Sequence, residues 1–208
     1  MITSDRGKLW KTGDTRMKSL EEMTLQELWM LFPIVLVEHK DCWNDWAVEE
    51  IARLKELLGD RVVAISHIGS TAIKDIWAKP IIDILMEVGA GIALSEIKSS
   101  IIAAGYRCMS ETANRISFNK GYTPEGFADK VFHLHLHYAG DNDEIYFRDY
   151  LNAHREIAVA YETLKMNLWK RFEYDRDGYT AAKTDFVARY TNLAKSEFDG
   201  RGWRNTVL

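Results

Sequence analysis

The stretch from Val62 to Val88, VVAISHIGSTAIKDIWAKPIIDILMEV, restricts the possible folds most, because it sets one carboxylate, Asp83, inside an apolar run. Ile81, Ile82, Ile84 and Leu85 surround Asp83 in a segment apolar enough to be an interior strand. A charge taken out of water is costly unless compensated, so this carboxylate requires a partner or a purpose. Upstream, Val62, Val63 and Ile65 begin a β-branched strand, and Gly69 lets the backbone turn sharply into a helix with Ser70 or Thr71 as its N-cap. Free N–H groups at such a helix start favour an anion, which makes Gly69, Ser70 and Thr71 a candidate phosphate seat. Pro80 stops the helical pattern before the second strand.

A second concentration of chemistry lies at His133-Leu134-His135-Leu136-His137, half of the six histidines in one short run. Period 2 places all three imidazoles on one strand face and Phe132, Leu134 and Leu136 on the other. Neutral imidazoles at that spacing share a metal or bind phosphate oxygens, or else face water on a half-exposed strand. Asp83 likewise has a structural alternative, capping a turn or pairing with Lys79 or Arg115. Glu87 lies on the same strand face as Asp83 but roughly 13 Å along it at ~3.3 Å per residue, too far to share an ion. Lys79, Arg115, Lys120 and Lys130 offer positive charge to a phosphate, although long basic side chains are ordinarily solvated.

These motifs, in this order, resemble those of the GrpB family: His67-Ile68-Gly69-Ser70-Thr71, Lys79-Pro80-Ile81-Ile82-Asp83-Ile84, His133-Leu134-His135 and Phe147-Arg148-Asp149-Tyr150-Leu151. The resemblance runs from about Ile34 to about Leu193. It implies a branch of the nucleotidyltransferase-like superfamily, whose hallmark is a G-S turn followed by a strand with two acidic residues spaced D-x-[DE]. Asp83 matches the first; Leu85 stands where the second metal-binding carboxylate belongs. The expected fold is therefore α/β (α+β), a nucleotidyltransferase-like mixed β-sheet with flanking helices and a C-terminal helical segment.

The rest of the chain is consistent with that frame. Residues 1–23 carry charges and little periodicity and are read as a loosely ordered arm, leaving residues 24–208 as a single domain. Thr24 and Glu27 fit a capping box, Ile34 to Val37 is an apolar strand candidate, and apolar residues from Trp43 to Leu58 follow helical spacing up to Gly59. A helix over Ala93 to Ala104 precedes strand candidates at 106–109, 115–119 and 130–138. Helices are expected near 144–153, 155–172 and 179–198.

Composition narrows function by exclusion. With 47% hydrophobic residues, a chain of 208 buries roughly 70% of its unfolded surface as one domain. A net charge of −4 argues against a general nucleic-acid or anionic-membrane surface, while leaving room for a local basic pocket. Cys42 and Cys108 lie far apart with no C-x-x-C spacing, which disfavours a disulfide framework and a structural zinc site. No apolar run reaches about 18 residues and no signal peptide is evident, so the expected location is cytoplasmic. Nothing in the sequence sets the oligomeric state.

The leading expectation is nucleotidyl or phosphoryl transfer, with a small-molecule nucleotide or phosphate as ligand. Gly69, Ser70 and Thr71 hold a nucleoside triphosphate, with Lys79 and Arg115 as supporting cations. Asp83 binds a divalent metal, Mg²⁺ or Mn²⁺, and His133 or His135 completes the metal shell or acts as general base. Two alternatives stand beside it: a nucleotide-binding or regulatory module that has lost the chemistry, which Leu85 favours, and a His-based metal-dependent phosphohydrolase.

Overall fold

Alternating apolar and polar residues produce five strands, and in the computed structural model, which describes residues 17–199, they form one mixed sheet in the order β1-β2-β5-β4-β3. The strands are β1 (Ala64–Ile68), β2 (Ile82–Val88), β3 (Arg107–Glu111), β4 (Arg115–Thr123) and β5 (Gly126–Tyr138). β2 is antiparallel to β1 and parallel to β5, and β4 is antiparallel to both β5 and β3. The helices are α1 (Leu25–Leu31), α2 (Cys42–Leu58), α3 (Leu94–Ala103), α4 (Asp143–Ala153), α5 (Arg155–Arg171), α6 (Arg176–Ala181) and α7 (Thr184–Asp199). The fold is thus the expected mixed α/β arrangement with flanking and C-terminal helices.

The period of two sorts strand side chains onto two unlike faces. On one, Ile65, Ile84, Met86, Phe118, Leu134 and Leu136 bury against α2 and α3 through residues such as Trp43, Leu54, Ile97 and Ile101. Each fully buried side chain of this size contributes about 1.5–3 kcal/mol, so this layer anchors the sheet. The opposite face carries Asp83, Leu85 and Glu87 beside His133, His135 and His137, with which they pair in register. Helices α4, α5 and α7 pack together over that polar face, around Phe147, Tyr150, Leu151, Tyr161 and Ala194.

Local signals explain the helix ends. At α1, Thr24 N donates to Glu27 Oε2 at 2.8 Å and Glu27 N donates to Thr24 Oγ1 at 3.2 Å, the reciprocal pair of a capping box. α2 buries Trp43, Ala47, Ile51, Leu54 and Leu58 on one stripe and stops at Gly59.

Three expectations are corrected. Gly69 opens only a single 3₁₀ turn, Ser70–Ala72, with Gly69 itself as the cap, because Asp75 takes a left-handed conformation and Ile73 and Ile76 leave to join the helical cluster. Ile34 to Val37 forms only one bridge, Val37 to Ala78, since Ile34 N donates to Glu173 O and its carbonyl accepts from Trp169 Nε1. The helix expected over 179–198 is two helices, the first begun by Asp175, whose side chain accepts from Gly178 N at 2.8 Å. Of the arm, residues 1–16 lie outside the described residues, whereas Leu20–Glu22 form a 3₁₀ turn with Leu20 buried. No helix among the described residues is long and apolar enough to cross a membrane.

Candidate ligand pocket

The polar sheet face and the helices above it enclose a cavity of about 700 Å³. Its floor is Asp83, His133 and His135, its rim includes Gly69 and Ser70, and its walls include Lys79, Tyr161, Lys165, Arg176, Tyr179 and Lys183. The structure therefore brings together seven of the sequence-derived candidates: Gly69, Ser70, Lys79, Asp83, His133 and His135 line the cavity, and Thr71 stands behind them.

Asp83 is held from two sides. His133 Nδ1 lies 3.2 Å from Asp83 Oδ1, and His135 Nε2 lies 3.8 Å from the same oxygen. His133 Nε2 is 2.8 Å from the Tyr122 hydroxyl, which accepts from Arg176 at 2.9 Å. Donation runs one way along this chain: Arg176 to the tyrosine oxygen, the Tyr122 hydroxyl to Nε2, and Nδ1–H to the carboxylate. Every member is satisfied with His133 neutral, and burial indeed pushes the His133 pKa below its ordinary value. Burial opposes the charge on Asp83, but the hydrogen bonds of His133 and His135 outweigh it, so the carboxyl stays below the usual carboxylate range. Tyr122 reaches this face through a register irregularity between Lys120 and Tyr122, where Gly121 adopts φ 90° and an added Cβ would strike the Lys130 carbonyl.

Gly69 has a role different from the one expected. It sits at φ 71°, ψ −169°, a region essentially restricted to glycine, and a Cβ there would lie 2.9 Å from Asp83 Cβ and Cγ. The close approach it permits is to the Asp83 side chain. Thr71 is buried; its hydroxyl donates to the Ile81 carbonyl at 3.2 Å and accepts from His67 Nε2 at 2.9 Å, so it braces the turn and faces no cavity. Arg115 lies outside the site: it pairs with His137 across the β4–β5 ladder, four residues beyond the Asn119–His133 pair, and clamps Asp141 in two hydrogen bonds of 2.7 and 2.5 Å. His137, 2% exposed, donates from Nδ1 to the Asp141 carbonyl at 2.9 Å and is structural.

The metal expectation fares no better on its donors. Both nitrogens of His133 are engaged, and Leu85, in the position of the second carboxylate, is fully buried against Ile68 and Ile145. Among the described residues no three His, Cys, Asp or Glu side chains are grouped to hold a metal ion. Asp83, His133 and His135 as arranged do not fit a divalent cation of the expected kind.

The sequence reading missed the roof. Lys165, 1% exposed, donates to the Trp77 carbonyl and lies over the Tyr161 ring, while Lys79 and Lys183 lie 5.6 and 4.4 Å from the centroid of Tyr179. Desolvation, then Arg176 and Lys183, lower the pKa of Lys79 to about 7; desolvation, then Lys183 and Lys79, bring Lys165 to about 7 against the opposing charge of Glu162. Among the described residues none of Lys79, Lys165, Arg176 and Lys183 forms a salt bridge. One signal was present: Ala158, Tyr161 and Lys165 form the buried stripe of α5, and a lysine on such a stripe is conspicuous.

His67 supplies a pH test. Burial lowers its pKa from 6.5 to about 4. Because the folded value is depressed, the stability this neutral histidine contributes is complete above pH 6.5 and is lost as pH falls through about 4, on the order of 3 kcal/mol in all. Urea unfolding at pH 7.5, 5.5 and 4.5 is expected to show that loss in the wild type and a flatter profile in His67→Gln. Parallel profiles would assign the acid sensitivity elsewhere.

The chain is similar to several known proteins. Glutamate-rich protein GrpB of Alkalihalophilus pseudofirmus is 36% identical over 168 residues, 76% of this chain and 94% of that protein. YqkA of Bacillus subtilis is 32% identical over 187 residues, 87% of this chain, and the chain spans about half of that relative's length, 54%. The crystal structure of conserved protein GrpB from Enterococcus faecalis superimposes with a TM-score of 0.69 at 26% identity, covering 79% of this chain and 99% of that one. MgGTP-bound Cid1 poly(U) polymerase is a looser match, 9% identical at a TM-score of 0.46 over 62% of this chain and 42% of that one, and nothing about this chain's chemistry follows from it. The model of the GrpB protein family matches residues 33–193, and with most of its length so matched the chain belongs to the GrpB family.

Proposed function

We propose that the cavity binds a nucleotide or a related phosphate ester, and that the protein acts as a nucleotide-binding or regulatory module. The observation that carries this reading is the convergence of Lys79, Lys165, Arg176 and Lys183, none of them in a salt bridge among the described residues, on one cavity of about 700 Å³. Basic groups without carboxylate partners repel one another and are desolvated at a cost, which an anionic ligand offsets. The volume is that of a drug-sized ligand pocket and larger than phosphate alone needs, and Tyr161, Tyr179 and Phe147 offer aromatic surface to a base. Nucleotidyl transfer remains what the resemblance implies, but Asp83 and its two histidines are an ill-suited donor set for the divalent metal which that reaction requires. A His-based phosphohydrolase meets the same objection.

Calorimetric titration with ATP, ADP and pyrophosphate, with and without Mg²⁺, tests the reading. Saturable, salt-weakened binding without product is expected, and Lys183→Ala is expected to weaken it about tenfold, the worth of one charge-assisted hydrogen bond. Absence of binding to all three ligands at low salt would remove the proposal; steady product formation would restore the transferase reading.

A further inference from the structure

We propose that Lys79 is a reactive amine that forms an imine with a phosphorylated aldehyde or ketone held in this pocket, a proposal that rests on the phosphate-binding reading above. Lys79 stands where the main cavity meets a smaller one of about 90 Å³, and it borders both. Its Nζ forms no hydrogen bond or ion pair among the described residues, in contrast with Lys165, whose ammonium is tied to the Trp77 carbonyl. A half-buried amine bordering two cavities, with no bond holding it, is free to meet a ligand.

The groups around it favour the neutral amine. Cations come from three directions: Lys165 on α5, Arg176 on α6, and Lys183 just before α7. Facing them are Asp83 on β2, already engaged by His133 on β5, together with Asp177 on α6 and Asp129 of the smaller cavity. The Tyr179 ring lies beside it, its hydroxyl buried with no hydrogen-bond partner among the described residues. Lysines placed in dry pockets beside other cations are activated in this way as nucleophiles, and the lowering of the Lys79 pKa to about 7 agrees.

The step is balanced without any oxidant or reductant. The Nζ lone pair adds to the carbonyl carbon, the C=O π pair becomes the carbinolamine hydroxyl as a proton passes from nitrogen to oxygen, and loss of one water gives C=N. Arg176 and Lys183 hold the phosphate end, which sets the carbonyl at Nζ and makes the addition effectively intramolecular. A phosphate-free aldehyde lacks that hold.

The test uses the full chain with pyridoxal 5′-phosphate, borohydride reduction and peptide mapping by mass spectrometry. The expected result is an adduct on Lys79 at least tenfold above any other lysine, with a rate midpoint near pH 7 where an ordinary lysine titrates near 10.5. Labelling by unphosphorylated pyridoxal, or in the presence of saturating pyrophosphate, is expected to fall at least tenfold. Lys79→Arg abolishes the adduct while retaining the circular-dichroism spectrum of the wild type. Adducts spread over surface lysines, or located on Lys165 or Lys183 with Lys79 unmodified, overturn the proposal. Pyrophosphate binding with Lys79 unmodified overturns the imine and leaves the pocket reading standing; no binding of ATP, ADP or pyrophosphate overturns both.

Discussion

Gly69→Val is expected to destabilise the protein by on the order of 4 kcal/mol, with the melting temperature falling accordingly. Two costs combine. A β-branched residue at φ 71°, ψ −169° is strained by about 1–3 kcal/mol. Its Cβ also displaces Asp83, since it would fall 2.9 Å from Asp83 Cβ and Cγ, and so breaks the charged hydrogen bond from His133, about 1.5–3 kcal/mol. Urea denaturation read by circular dichroism measures the sum. Gly69→Ala carries the same Cβ without the branching and should lose somewhat less. If both variants melt with the wild type, the Gly69 turn is not pressed on Asp83 as described.

Leu85→Asp is expected to cost still more, on the order of 5 kcal/mol at neutral pH. Seen on paper, this substitution restores a D-x-D pair on one strand face. In the fold the new carboxylate enters a small apolar cluster in which Leu85, Ile68 and Ile145 are each fully or nearly fully buried, with Ser66 and His135 as its register neighbours on the flanking strands. Loss of the leucine alone costs about 2–5 kcal/mol, and an unpaired buried charge adds to that unless the group takes up a proton. Equilibrium unfolding of Leu85→Ala and Leu85→Asp at pH 7 and pH 5 separates the terms, because protonation relieves only the second. A stable Leu85→Asp variant that gains Mg²⁺ affinity would return the metal site to consideration.

The floor of the pocket was legible in the sequence, whereas its roof was not. Period 2 alone places His133 and His135 on one face, and Asp83 in an apolar run demands a partner, so their meeting required only that β2 and β5 be neighbours. Arg115 illustrates the limit of that logic: its face is right, but the β4–β5 register sets it opposite His137 and beside Asp141, and no spacing in the sequence fixes that register. The Ser70–Thr71 helix failed because a left-handed Asp75 and two buried isoleucines end the turn after three residues, a tertiary demand that overrides a plausible cap. Lys165 and Arg176 on helices, and Lys183 in the turn between α6 and α7, reach the cavity from more than eighty residues beyond Asp83, and only Lys165, on a buried stripe, gave notice.

The attachment of α5 decides which wall of the pocket can yield. At one point Glu162 accepts from Trp77 N at 2.6 Å while Lys165 donates to the Trp77 carbonyl, so two side chains one turn apart serve a single residue of the β1–β2 connection as a neighbouring strand would. Farther along, Trp169 Nε1 donates to the Ile34 carbonyl at 2.6 Å, and Glu173, just past the helix, accepts from Ile34 N at 2.8 Å. Swinging α5 outward would strand four peptide groups at once, at roughly 1–3 kcal/mol for each one left buried and unpaired. That wall behaves as masonry. The short α6 is held by the Arg176 hydrogen bond and by Tyr179, buried against Ile34 and Leu36, whereas among the described residues the two-residue turn at 182–183 makes no hydrogen bond to the sheet, so a ligand too bulky for the existing mouth would enter on the side where Lys183 stands.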